Sequence, residues 1–104
     1  NALLGKWFAD AALAVIAQAG LAPRDVHLIG SHGQTVYHIP PGGTRHPSSL
    51  QIGEGQEIAE RTGITTVADF RGRDLAAGGQ GAPLAPGFHH AVLRSDTEDR
   101  VVLN

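Results

Sequence analysis

Three places in this 104-residue chain gather side chains able to do chemistry: Asp69, the run Ser31-His32-Gly33-Gln34-Thr35, and Gly78-Gly79-Gln80-Gly81-Ala82-Pro83. Asp69 stands near the end of residues 64–70 (ITTVADF), an otherwise apolar and β-branched run. Strand ends of that kind face the ligand crevice in α/β folds. Partial desolvation and nearby cations are the two means of tuning a carboxylate into a general base, and Arg71 and Arg73 follow at once. The competing role is structural: such an aspartate also caps the next turn or pairs with Arg71. On spacing alone that role is the commoner one.

In the second run, several polar side chains around Gly33 offer the mixed donors and acceptors that a polyhydroxylated ligand requires. An ordinary polar turn has the same composition. In the third, consecutive glycines let backbone N–H groups approach a sugar or phosphate, although a tight connector would look alike. It is not a P-loop, since the Gly-Lys-Ser/Thr ending is missing, and Gly53-Glu54-Gly55 lacks the third glycine of a dinucleotide fingerprint. The six histidines make no zinc-type pattern. His27, His32, His38 and His46 lack helical i, i+4 spacing, and the adjacent His89 and His90 are expected on different helix faces. No metal site is expected.

These groups need elements to hold them. Residues 3–19 carry Leu4, Trp7, Phe8, Ala11, Val15 and Ala19 at near-helical spacing, with Gly20 and Pro23 as stops. This predicts an amphipathic helix with Trp7 and Phe8 in the core. Short strands are expected over residues 26–30, 35–39, 49–52 and 64–70, with Val36 and His38 on one face of the second and Tyr37 on the other. A helix over 53–62 follows from early Glu54 and Glu57, late Arg61 and the stop at Gly63. Residues 40–48 and 71–87 read as long loops, the latter with one helical turn near 74–77. Pro86 starts a helix running to residue 94. Residues 100–103 open a strand that the chain end truncates. The order predicts an α/β or α+β unit.

Composition narrows the function classes. The chain is 41% hydrophobic and 17% charged, too apolar for a disordered segment. Lys6, Asp10 and Gln18 interrupt its most hydrophobic stretch, so no membrane span is expected. Scattered cations, a net charge of −2 and a pI near 6.3 argue against nucleic acid as a partner. Zero cysteines exclude disulfides and thiolate chemistry and suit a reducing compartment. The opening Asn-Ala-Leu-Leu, the closing Val-Val-Leu-Asn and the absence of methionine lead us to expect a piece of a longer protein.

Taken together, SHGQTVYH, SLQIGEGQEIAERTGITTVADFRGRDLA and GGQGAPLAPGFHHAVL closely resemble the anhydro-N-acetylmuramic acid kinases, bacterial members of the sugar-kinase and actin-like ATPase superfamily. The resemblance covers nearly the whole chain in unbroken order. It narrows the fold to α/β, a mixed sheet with flanking helices, and implies part of an actin-like, ribonuclease H-like ATPase domain, incomplete here, without the N-terminal GTS-type phosphate loop and the second lobe. It implies an enzyme that opens 1,6-anhydro-N-acetylmuramic acid with water and phosphorylates O6, giving N-acetylmuramic acid 6-phosphate in cell-wall recycling. ATP and Mg²⁺ would be held mainly by parts outside these residues, and the isolated piece would be inactive. Asp69 becomes the general base. His32, Gly33, Gln34, Thr35 and Arg71 become sugar-pocket residues, and Gly78, Gly79, Gln80 and Gly81 the neighbouring wall of the cleft. A cytoplasmic location, an amino-sugar substrate and a homodimer of the longer protein belong to the same expectation. Two alternatives stay open: a non-catalytic carbohydrate-binding module, and a related actin-like kinase with another substrate.

Overall fold

A computed structural model describes residues 1–103. The N-terminal helix α1 spans Ala2–Gln18 and packs on α2, Gly55–Thr62. The buried face of α1 is Gly5, Ala9 and Ile16, a stripe rotated from the expected one. Trp7 is 57% exposed and Val15 64%, so the expectation of a tryptophan core was wrong. Close approach decides this. A Cβ on Gly5 would lie 2.7 Å from the Glu54 carbonyl oxygen, so only the small-residue face of α1 can reach the start of α2. Ile58 and Ile64 complete this small core. Helix α2 ends on Gly63 in the left-handed region at φ 68°, and Arg61 Nε donates to Glu57 Oε1 at 2.6 Å along its exposed side.

Beside these helices lie two separate two-stranded ladders, one parallel and one antiparallel. They supply both strand directions of the expected mixed sheet. The parallel pair is β1 (Ile29–Gly30) with β4 (Thr66–Val67), Ile29 opposite Thr66 and Gly30 opposite Val67. Both are much shorter than the runs 26–30 and 64–70 expected as strands. Pro23–Asp25 instead forms a 3-10 turn, with the Asp25 carboxylate accepting from the Ala22 N–H at 2.8 Å. At the other end, β4 stops where Asp69 turns the chain into α3.

The antiparallel pair is β2 (Gln34–Ile39) with β3 (Ser48–Ile52), close to the expected bounds. Thr35 faces Gln51 and Tyr37 faces Leu50, so an irregularity falls at Val36. That bulge breaks the expected alternation, and Val36 and Tyr37 are both exposed. Helix α3 spans Phe70–Ala76, where a loop with a single later turn was expected. Helix α4 spans Ala85–Leu93, as its proline suggested. Residues 100–103 form no strand: no ladder partner pairs with Val101 or Leu103, and both are largely exposed.

The glycine loop after α3 takes its path from Asp74. The Asp74 carboxylate accepts from the Gly81 N–H at 2.7 Å, while the Gly79 N–H donates to the Asp74 carbonyl at 2.8 Å and the Gly78 N–H to the Leu75 carbonyl at 3.0 Å. A Cβ on Gly79 would collide with the Asp74 carboxylate. These glycines therefore let the loop wrap a helix end, and three of its N–H groups point back into the protein rather than to a ligand.

Two consequences can be measured in the full-length protein. Gly5→Ala gains roughly 1 kcal/mol of helix propensity but forces backbone apart, and overpacking of about 1–3 kcal/mol outweighs it. Gly87→Ala lies in α4 with open space around it, so propensity alone acts and the variant is expected to be stabilised. Thermal melts should move in opposite directions. Asp74→Ala removes a charged acceptor worth about 1.5–3 kcal/mol, which should speed hydrogen exchange at the Gly81 amide by roughly 10–100-fold. Unchanged exchange would show that the loop holds its own shape.

Candidate functional site

Asp69 owes its position to a local backbone event. Its φ and ψ are 54° and 51°, the left-handed region that aspartate tolerates better than most residues. This sharp bend turns the chain out of β4 and makes Asp69 the N-cap of α3. Its Oδ1 accepts from the Gly72 N–H at 3.2 Å. The capping role weighed from the sequence is therefore present, whereas the pairing with Arg71 is not. Capping uses one oxygen only. Among the described residues Oδ2 has no hydrogen-bond partner, and the carboxylate is exposed to solvent.

Asp69 borders a concavity of about 310 Å³ lined also by Ser31, His32, Gly33, Ser49, Gln51 and Glu54, among others. The β1–β2 connection and β3 thus meet the β4–α3 bend across a shared space. Gly33 sits at φ 66°, and a Cβ there would lie 2.6 Å from the Ile52 carbonyl oxygen, so glycine is required for this approach. Asn1 ties the rim together: its Nδ2 donates to Glu54 Oε2 at 2.8 Å, and the Gly53 N–H donates to its Oδ1 at 2.7 Å.

A second concavity of about 360 Å³ adjoins the first through His32 and Gln51. Phe70, Arg71, Gly81, Pro83 and Leu84 line it as well. Arg71 reaches from α3 to β3, where Nη1 donates to Ser49 Oγ at 3.0 Å. Of the residues singled out from sequence, Ser31, His32, Gly33, Asp69, Arg71, Gly81, Ala82 and Pro83 border these two spaces. Gln34, Thr35, Gly78, Gly79 and Gln80 border neither. Gln34 folds back on its own strand, Nε2 donating to the Thr35 carbonyl at 3.2 Å, and Thr35 Oγ1 accepts from Gln51 Nε2 at 3.1 Å.

Ser49, Gln51, Glu54 and Asp74 were not singled out. The polar-apolar-polar order Ser49-Leu50-Gln51 on a short strand was a signal for the first two, since alternate residues share a face. Among the described residues no three His, Cys, Asp or Glu side chains converge as a metal site. His89 and His90 both border one concavity, together with Glu98 and Asp99. No helix among the described residues is long and apolar enough to cross a membrane.

Comparison with known proteins places this geometry. The family model described as anhydro-N-acetylmuramic acid kinase matches residues 1–104. The anhydro-N-acetylmuramic acid kinase of Caldanaerobacter subterraneus subsp. tengcongensis is 57% identical over 108 aligned residues, which cover 100% of this chain and 27% of that relative. The chain thus spans about a quarter of the length of the curated relative it matches. A match running through every element that builds both concavities means that the chain belongs to the anhydro-N-acetylmuramic acid kinase family.

Proposed function

We propose that these residues form part of the substrate cleft of an ATP-dependent kinase of cell-wall recycling. The reaction opens 1,6-anhydro-N-acetylmuramic acid with water and phosphorylates O6, giving N-acetylmuramic acid 6-phosphate. The observation that carries this reading is the divided use of the Asp69 carboxylate. Capping of α3 holds one oxygen in place, the other has no partner among the described residues, and the residue lines a polar concavity. A general base needs that combination of fixed direction and a free lone pair.

In this reading a water adds to the anomeric carbon and gives its proton to Asp69 Oδ2. The bond from that carbon to O6 breaks, its electron pair stays on O6, and O6 becomes the phosphoryl acceptor. His32, Ser49 and Gln51 supply donors and acceptors for ring hydroxyls. In line with the family resemblance, we assign ATP and Mg²⁺ contacts mainly to other parts of the full-length protein, and no step above rests on them. Dependence on ATP puts the reaction in the cytoplasm.

Asp69→Asn is the decisive variant, because asparagine tolerates the left-handed region and caps a helix about as well. Sugar-dependent ADP release by the full-length protein is expected to fall by roughly 10²–10⁴-fold while the melting temperature is kept. Full activity in the variant would make Asp69 a cap and nothing more. The 104-residue chain alone is expected to release no ADP in the same assay.

A further inference from the structure

Among the described residues Arg71 is a cation without a carboxylate partner. It takes part in none of the ion pairs among the described residues, although Asp69 and Asp74 are close in sequence. Both carboxylates accept backbone N–H bonds instead, from Gly72 and from Gly81. The bond to Ser49 Oγ steadies the guanidinium but uses one nitrogen, and among the described residues the rest of its donor fork has no partner. No aspartate or glutamate lines the concavity that holds Arg71; its polar side chains are His32 and Gln51.

The adjoining concavity has the opposite character, with Asp69 and Glu54 on its rim. An anion entering there would meet two carboxylates, whereas an anion beside Arg71 would meet a planar, permanently charged donor fork suited to a carboxylate. Because the two spaces share His32 and Gln51, one ligand can span them. Its neutral reacting ring would then lie toward Asp69 and its charged end toward Arg71.

We propose that Arg71, steadied by Ser49, is the oxyanion subsite that recognises the carboxylate of the sugar acid and selects it over the same sugar without the acid arm. This rests on the kinase reading above for the identity of the sugar. An oxyanion at Arg71 could also come from the phosphates of the nucleotide, and the test separates the two.

The experiment uses full-length protein as wild type, Arg71→Gln and Arg71→Lys, with thermal melts to establish folding. kcat/KM is measured for 1,6-anhydro-N-acetylmuramic acid and for 1,6-anhydro-N-acetylglucosamine, which lacks the acid arm, and KM is measured for ATP. The expected result is a roughly 10–100-fold fall in the acid-over-neutral ratio for Arg71→Gln. Arg71→Lys should fall between, since lysine keeps charge but not the fork, and KM for ATP should stay in place. An unchanged ratio in the folded variants overturns the proposal, as does a loss carried by KM for ATP. If neither sugar is turned over by wild type, the kinase reading fails. Calorimetric binding of the two sugars then decides the Arg71 subsite separately. An acid preference that Arg71→Gln abolishes upholds it, and a wild type without preference or without binding refutes it.

Discussion

Everything around the cleft hangs on the left-handed bend at Asp69. It ends β4 after two residues, turns the chain into α3, and commits one carboxylate oxygen to the Gly72 N–H. A non-glycine residue in this region costs on the order of 1–3 kcal/mol, which the surrounding structure must offset. Here the cap returns part of it, since a lost N-cap costs roughly 0.5–2 kcal/mol. Conformation and chemistry are thus coupled in one residue: the bend that aims the carboxylate is held by the carboxylate itself.

From that bend the rest of the site follows by short tethers. Helix α3 starts at Phe70, so Arg71 emerges in its first turn and reaches β3 at Ser49. Asp74 sits near its last turn and draws Gly81 in to close the far wall. One helix of seven residues therefore positions the base candidate, the cation and the glycine loop. Across the cleft, the β2–β3 pair brings Ser49 and Gln51 to the same space, and Gly33 allows the backbone contact with Ile52 that places His32 beside them.

Charge is sorted along this cleft. Carboxylates border one concavity and a guanidinium the next, with the His32 and Gln51 side chains between. Close pairing of Arg71 with Asp69 would have cancelled both groups for ligand purposes. Among the described residues the bonds that the Asp69 and Asp74 carboxylates accept come instead from the backbone N–H groups of Gly72 and Gly81.

Much of this was written in the sequence, because local physics determines it. Helix α2 with its Gly63 stop, the β2 and β3 strands, the proline-started α4 and the candidacy of Asp69 follow from capping, periodicity and turn chemistry within a few residues, whereas Arg71 as a pocket residue came from the family resemblance. Sequence similarity along the whole chain carried the family. Long-range contact decided the remainder. Which face of α1 is buried depended on the backbone of Glu54 meeting Gly5, so Trp7 lost its place in the core to Ala9 and Ile16. Whether residues 64–70 and 100–103 became strands depended on ladder partners, which exist for Thr66 and Val67 alone. The glycine loop read equally as a ligand cradle or a tight connector, and contacts with Asp74 and Leu75, several residues back, occupy three of its N–H groups. Periodicity records what a segment prefers by itself; burial, pairing and the fate of each polar group belong to what the fold sets against it.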